Sequence, residues 1–454
     1  MTTASVVLAA GHGKRMKSAL PKVLHPLLGK PLILHAIAPV LKFSDLPPIV
    51  VVGVGAEDVK RVISETVSGR VDFVLQADQL GTGHAVQQAQ QLLQGKAERV
   101  TVTFGDMPLL SEATLRAVLE LHDRAKAVVT MASVVGDVPR GFGRVIRDAE
   151  GRVQAIVEES VATPEQLKVR EYNISAWCFN AEWLWQSLGK IQVSPKGEYY
   201  LTDLVSIAVS EGRTVESLQL EDPTEGLGIN SRVDLADCEA AMRQRVNRQW
   251  MLEGVTFLDS ATTVVETGVV IGRDTVLLGG TNLRGNTAIG ENCEIGPNTT
   301  LLDTQVGSDT MITYSLAEGA KIGNHVSMGP FCHLRKGAVL SDHVHLGNFG
   351  EVKDSTLEEG TKMGHFSYIG NAKIGKNVNI GAGTITCNYD GVHKHPTEIG
   401  EDTFIGSDTM LIAPVKIGKR SKTGAGSVVT HDVPDDTVVY GVPARPKERK
   451  ESCD

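Results

Sequence analysis

No stretch of this 454-residue sequence approaches the roughly 20 consecutive apolar residues needed to cross a bilayer, so no membrane insertion is expected. No secretory signal is expected either. Met1-Thr2-Thr3 carries no basic segment, and the apolar residues 5–10 run straight into a glycine motif. The expected location is therefore cytoplasmic. Positive charge is in deficit: 45 Lys and Arg face 54 Asp and Glu, and the net charge of −9 argues against nucleic acid as a general partner. Anionic small substrates stay open, because they need only a few well-placed cations. Cysteines are few and scattered. Cys178, Cys238, Cys293, Cys332, Cys387 and Cys453 show no metal-ligand spacing and read as reduced thiols.

What is present is a soluble balance, 41% hydrophobic and 22% charged, in a chain long enough for two domains. The two halves follow different patterns. Residues 1–230 alternate short apolar runs at 6–10, 49–54, 71–75 and 100–104 with helical patterns such as 31–43 and 82–94. That alternation predicts a Rossmann-like α/β domain with a mostly parallel sheet, which binds ligands beyond the carboxyl ends of its strands. Residues 231–254 read as one linking helix. Ser231 and Asp234 resemble a capping box, Met242, Val246 and Trp250 form an apolar stripe, and Gly254 suits the stop.

From about residue 264 aliphatic residues recur every six positions. Ile271, Leu277, Leu283, Ile289, Ile295 and Leu301 form one series, and Ile399, Ile405, Leu411 and Ile417 another; the register slips between Ile369, Ile374 and Ile380. Neither a helix nor a two-faced strand has this period. It predicts a left-handed parallel β-helix of hexapeptide repeats over 255–454, with the aliphatic residue inward on each face and a charged, mobile tail from Lys447 to Asp454.

The densest local motif is Leu8-Ala9-Ala10-Gly11-His12-Gly13-Lys14-Arg15-Met16, followed by Pro21-Lys22-Val23-Leu24. The third glycine of a dinucleotide fingerprint is absent, which speaks against NAD. Glycines let backbone amides approach phosphate oxygens, and Arg15 and Lys22 add positive charge there. This pattern resembles that of the sugar-phosphate nucleotidyltransferases. The resemblance extends to Gln76-Ala77-Asp78-Gln79-Leu80-Gly81-Thr82, to Gly105-Asp106-Met107-Pro108, and to Gly228-Ile229-Asn230. It implies that Leu8, Ala9, Ala10, Gly11 and Lys22 hold UTP and that Gln76, Gly81 and Thr82 read uracil. It implies further that Asp106 and Asn230 hold Mg²⁺, and that Gly141, Glu158 and Asn173 bind N-acetylglucosamine-1-phosphate. Arg15 and Lys22 are then the catalytic cations.

Within the repeats, Arg335, Glu351, Lys353, His365, Tyr368, Asn379, Asn388, Tyr389 and Lys394 gather unusual chemistry. The run Asn379-Ile380-Gly381-Ala382-Gly383-Thr384-Ile385-Thr386-Cys387-Asn388-Tyr389-Asp390-Gly391 is similar to the hexapeptide acetyltransferases, and both halves together resemble the bifunctional enzymes that make UDP-N-acetylglucosamine. His365 is then the general base toward the amine of glucosamine-1-phosphate, since imidazole titrates near neutrality. The resemblance places Glu351 to orient that imidazole. Arg335, Lys353, Tyr368, Asn379 and Lys394 bind the sugar phosphate, Lys394 from its own or a neighbouring chain. Ala382, Asn388, Tyr389, Ser407, Ala425 and Arg445 face acetyl-CoA, and the assembly is a homotrimer. Some members carry an Arg where Gly441 stands, with Arg445 nearby as the substitute. His343 and His345 alternate but have no third metal ligand, and His393 and His395 flank Lys394 in a loop insertion. Two further readings use the same domains: a nucleotidyltransferase whose β-helix is only a scaffold, and a non-catalytic exchange-factor platform. Intact Arg15, Lys22, Asp106 and Asn230 speak against the latter, and His365 with its cations against the former.

Overall fold

The computed structural model describes residues 1–67, 69–136 and 141–447. Cys453 and the tail at 448–454 lie outside them. The chain forms two compact units, Met1–Met242 and Arg243–Asp454.

The first unit is built on a twisted sheet whose main strands are β1 (Thr3–Ala9), β2 (Ile49–Val52), β3 (Asp72–Leu75), β4 (Arg99–Phe104), β5 (Val129–Val135), β6 (Glu171–Asn180) and β7 (Val215–Gln219), in the order β7-β5-β6-β4-β1-β2-β3. All neighbours among these are parallel except β6, which runs antiparallel to both β4 and β5. Alternate strand residues feed two cores, one per face. Val7, Ala9, Val50 and Val52 join Ile33, Ile37, Ile63 and Leu115. Ala4, Val6, Val100 and Val102 join Val86, Trp183, Leu184 and Val205. The helical pattern at 82–94 splits into Thr82–Gln87 and Gln90–Leu93. The cause is local: the Gln88 side-chain amide donates to the His84 carbonyl at 3.0 Å, while the Gln88 backbone N–H turns to Ala85.

The linking helix spans Arg232–Leu252. Its start is the expected reciprocal cap, with Ser231 N–H donating to Asp234 Oδ2 at 2.8 Å and Asp234 N–H to Ser231 Oγ at 3.3 Å. In the second unit Val246 and Trp250 pack on the first coil's core, and the buried Asn247 amide donates to the Ser260 and Thr263 carbonyls, both at 3.0 Å. That closes the open end of the repeats.

Among the described residues the repeats form three sheets of 12, 10 and 9 short strands, parallel throughout except for the last strand of the first, the architecture of the left-handed β-helix. Each coil visits the three sheets in turn, so His333, Glu351, Tyr368 and Ile385 stack on one face. The predicted aliphatic series are all buried in one continuous core. Ile369, Ile374 and Ile380 are buried as well, so the slip is absorbed at a corner, where Asn371 takes φ 50°. Residues 388–396 leave the coil as a loop, and the repeats end in an antiparallel hairpin, Val438–Gly441 with Ala444–Pro446.

Candidate active sites

In the first unit a cleft of about 480 Å³ opens at the carboxyl ends of β1 and β4. Leu8, Ala9, Ala10, Gly11, Arg15, Lys22, Gln76, Gly81, Thr82, Asp106 and Asn230 all line it. A second lobe of about 230 Å³ adds Gly141, Glu158 and Asn173 and shares Thr82, Asp106 and Asn230 with the first. Every residue expected in the nucleotide half is thus drawn into one continuous cleft.

Local geometry explains the glycines. Gly13 has φ 59°, and a Cβ there would lie 2.7 Å from Lys22 Cβ, so only glycine lets the loop close over that lysine. Gln76 is buried. Its amide nitrogen lies 3.1 Å from both the Gly81 carbonyl and His84 Nδ1, which commits both N–H groups and leaves the carboxamide oxygen to accept from a ligand.

Asp106 and Asn230 come from distant segments, joined by the Ile229 N–H donating to the Asp106 carbonyl at 3.0 Å. Both side chains converge on the Lys22 ammonium. It pairs with the Asp106 carboxylate and donates to Asn230 Oδ1 at 3.1 Å. Two hard oxygens therefore share one cation position, a donor set that fits a hard divalent cation.

Two polar groups mark the second lobe. Asn173 is buried, and its Oδ1 has no hydrogen-bond partner among the described residues. Glu158 accepts from the Thr202 hydroxyl at 3.0 Å, and burial pushes its carboxyl above the usual range, with Asp203 and Glu198 adding to the rise. Glu198, Tyr200, Thr202 and Trp177 also line the cleft and were not anticipated. The signal that could have found the first three is the run Glu198-Tyr199-Tyr200-Leu201-Thr202, aromatic and polar with no helical or strand period.

In the β-helix, register builds the other site. Lys362 pairs with Asn379, Asn379 with Phe404, and Phe404 with Lys422. Carried three residues on, that ladder stacks His365, Ala382, Ser407 and Ala425 in one column along a corner. The corner bonds agree, with Gly383 N–H donating to the Phe366 carbonyl at 2.7 Å and Gly426 N–H to the Ser407 carbonyl at 2.8 Å. His365 is exposed at one end of this column.

On the adjoining face Arg335 Nη1 donates to Glu351 Oε1 at 3.1 Å. Glu351 is thereby engaged with Arg335, and among the described residues no hydrogen bond joins it to His365. Lys394 and Arg335 push the Lys353 ammonium below the usual lysine range, Lys394 foremost. Lys394 thus sits beside Lys353 of its own chain. Tyr368 stacks above Glu351 and folds over Gly370, where a Cβ would lie 2.3 Å from Tyr368 Oη and 2.8 Å from Asn388 Nδ2. Asn388 is buried, its amide donating to Asn371 Oδ1 at 2.7 Å, and Tyr389 is exposed at the base of the loop. Asn379 stands apart, on the sheet of Lys362 and Phe404 rather than that of Tyr368. Arg445 pairs across the terminal hairpin with Tyr440, and Gly441 has φ 100°, a backbone state in which an arginine would be strained. His343 stacks on His325 with ring centroids 4.8 Å apart, so it does not pair with His345.

The fold and these sites define a nucleotidyltransferase joined to a hexapeptide-repeat transferase. Residues 5–159 match the MobA-like NTP transferase domain, and residues 268–303 and 396–431 match the bacterial transferase hexapeptide family. The chain is 44% identical to the bifunctional protein GlmU of Exiguobacterium sibiricum, over 95% of this chain and 96% of that one. It is 43% identical to that of Geobacillus sp. strain WCH70 (96% and 94%) and 45% identical to that of Lactococcus lactis subsp. lactis (97% and 96%). The chain belongs to the bifunctional GlmU family. It is a bifunctional transferase, with a nucleotidyltransferase half and an acetyltransferase half.

Proposed function

We propose that the two sites carry out consecutive steps of UDP-N-acetylglucosamine synthesis in the cytoplasm. The β-helix acetylates glucosamine-1-phosphate from acetyl-CoA, and the N-terminal cleft then joins the product to UTP. The observation that carries this reading is the presence of two unlike phosphate sites in one chain. One pairs a cation with two hard oxygens in a cleft; the other gathers Arg335, Lys353 and Lys394 on the β-helix face that follows the His365 corner.

In the cleft, a phosphate oxygen of N-acetylglucosamine-1-phosphate attacks the α-phosphorus of UTP. The bond to the bridging oxygen breaks and pyrophosphate leaves. The sugar phosphate is already a nucleophile, so the residues position and neutralise rather than abstract a proton. Asp106 and Asn230 would hold Mg²⁺, which supplies charge neutralisation at the reacting phosphates. Arg15 and Lys22 offset the remaining charge, and the Gln76 oxygen accepts from uracil N3–H. The Asn173 oxygen and Glu158 accept from the sugar's hydroxyl and amide groups.

In the β-helix, His365 takes a proton from the sugar amine as its nitrogen attacks the thioester carbonyl. The carbon–sulfur bond breaks, the His365 imidazolium gives that proton to the departing thiolate, and CoA leaves as the thiol. The backbone column at Ala382, Ser407 and Ala425 lies along the CoA, with Asn388, Tyr389 and Arg445 completing that contact. Arg335, Lys353 and Lys394 grip the phosphate, and Glu351, which makes no direct hydrogen bond to His365 among the described residues of one chain, would orient that imidazole in the assembly.

The working assembly is a homotrimer. Tyr314, Phe331, Phe349 and Phe366 form an exposed apolar ladder of the kind a second copy covers, and Asn379 lies on a different sheet from the cations it would assist.

Replacing one oxygen ligand tests the division of labour. Asp106→Asn should reduce Mg²⁺-dependent UTP consumption by about 100-fold or more while leaving CoA release unchanged. Equal loss of both activities would reject two separate sites.

A further inference from the structure

The loop at 388–396 carries Lys394 into a place that electrostatics disfavours. Lys394 and Arg335 crowd Lys353 closely enough to push its ammonium below the usual lysine range. Like charges on an untethered loop relax by swinging apart into solvent, where the ammonium is fully hydrated. Something must therefore hold Lys394 in.

The loop contains such a device. Asp390 uses both carboxylate oxygens: Oδ1 accepts from the Val392 and His393 N–H groups at 2.7 and 2.6 Å, and Oδ2 lies 2.7 Å from His395 Nε2, which donates to it. The backbone closes around the same point. Tyr389 and Lys394 form an antiparallel bridge, and His395 N–H donates to the Asn388 carbonyl at 2.8 Å. The Tyr389 hydroxyl donates to the Gly391 carbonyl at 2.5 Å, where the chain turns with φ 101°. Lys394 is thus one partner of the backbone bridge and directly precedes the histidine of the Asp390–His395 pair.

We infer that Asp390 and His395 are positioning residues, a clasp that holds Lys394 against Lys353 and Arg335 and so sets the affinity of the β-helix site for its sugar phosphate. The inference rests on the reading of Lys394 as a phosphate-binding residue. Holding the three cations together before the dianion arrives lowers the ordering cost of binding. The clasp touches neither the amine nor the thioester, so it acts on binding and not on the chemical step.

The test is steady-state acetyl transfer by the full chain, with glucosamine-1-phosphate varied. Asp390→Asn and His395→Ala should each raise KM for the sugar phosphate by about 5- to 20-fold, with kcat and the KM for acetyl-CoA within about twofold. His395→Gln keeps a donor at that place and should recover most of the affinity. Lys394→Ala should raise the same KM. Adding Asp390→Asn to Lys394→Ala should then cost no more than about a further twofold, because the clasp has nothing left to hold. Uridylyl transfer on the same samples should not move.

If Lys394→Ala leaves the sugar-phosphate KM unchanged, the reading of Lys394 falls and the clasp with it. If Lys394→Ala raises KM but Asp390→Asn and His395→Ala do not, the clasp alone is wrong. Multiplying effects in the double variant, or a loss confined to kcat, would also overturn it.

Discussion

Gly370 shows how a single missing side chain shapes a site. It sits one coil above Lys353 on the same face, and its bare Cα leaves room for the Tyr368 ring and the Asn388 amide. Gly370→Ala must displace one of them, because a Cβ would lie within 3 Å of both. The expected result is a rise of about tenfold in the KM for glucosamine-1-phosphate with the β-helix still folded, checked by kinetics beside circular dichroism. In the other half, Glu158 sets a pH limit. Burial raises its carboxyl, so it protonates at a higher pH than a free glutamate and, in its proposed role, offers the sugar a weaker acceptor there. Affinity for N-acetylglucosamine-1-phosphate should therefore fall on acidification from above the normal glutamate range. Glu158→Gln should bind more weakly but lose that acid arm in a pH profile of KM. Residue identities at these sites were legible where a motif fixed them, as for Lys22, Asp106 and Asn230. Side-chain rotations were not. The resemblance set Glu351 against His365, but it pairs with Arg335, a choice that depends on which rotamer the face allows.

At the scale of elements, the start of the linking helix does two things at once. Asp234 caps it by accepting from Ser231, and the same carboxylate accepts from the Asn230 N–H at 3.0 Å, which fixes the proposed metal-binding residue. Asp234→Ala should lower the stability of the N-terminal unit by about 1 kcal/mol and raise the Mg²⁺ concentration needed for UTP consumption. Thermal unfolding and a Mg²⁺ titration check both, and acetyl transfer serves as the control. Strands and caps were readable here because each has a short-range cause. The break in the 82–94 helix was not, because it depends on one glutamine side chain displacing a backbone donor. The hexad period foretold the buried aliphatics. It said less about the threonines beneath them, such as Thr281 and Thr310, whose buried hydroxyls donate to the Ile295 and Gly323 carbonyls at 3.1 and 3.0 Å. In the sequence these look like ordinary strand residues.

At the scale of the whole molecule, the β-helix is a ruler. Its near-constant coil length turns sequence spacing into columns, so residues 17 to 25 positions apart, as Lys362, Asn379 and Phe404 are, become direct neighbours. His365, Ala382, Ser407 and Ala425, singled out by the family resemblance, fall in one such column, a placement that only the coil register reveals, whereas Asn379 lies on another sheet from the cations it was expected to join. The trimer reading supplies the missing surface. It predicts three chain masses in solution, with acetyl transfer lost when Phe331→Glu and Phe349→Glu break the aromatic ladder and uridylyl transfer kept. A monomer with full acetyl transfer would refute it. The most direct test of the central claim is a paired assay of His365→Ala against the unaltered chain, following CoA thiol release and UTP consumption on the same samples. Two independent sites with His365 as the base predict that CoA release collapses while Mg²⁺-dependent UTP consumption persists. Unaltered CoA release in the variant, or no CoA release from the unaltered chain, would contradict it.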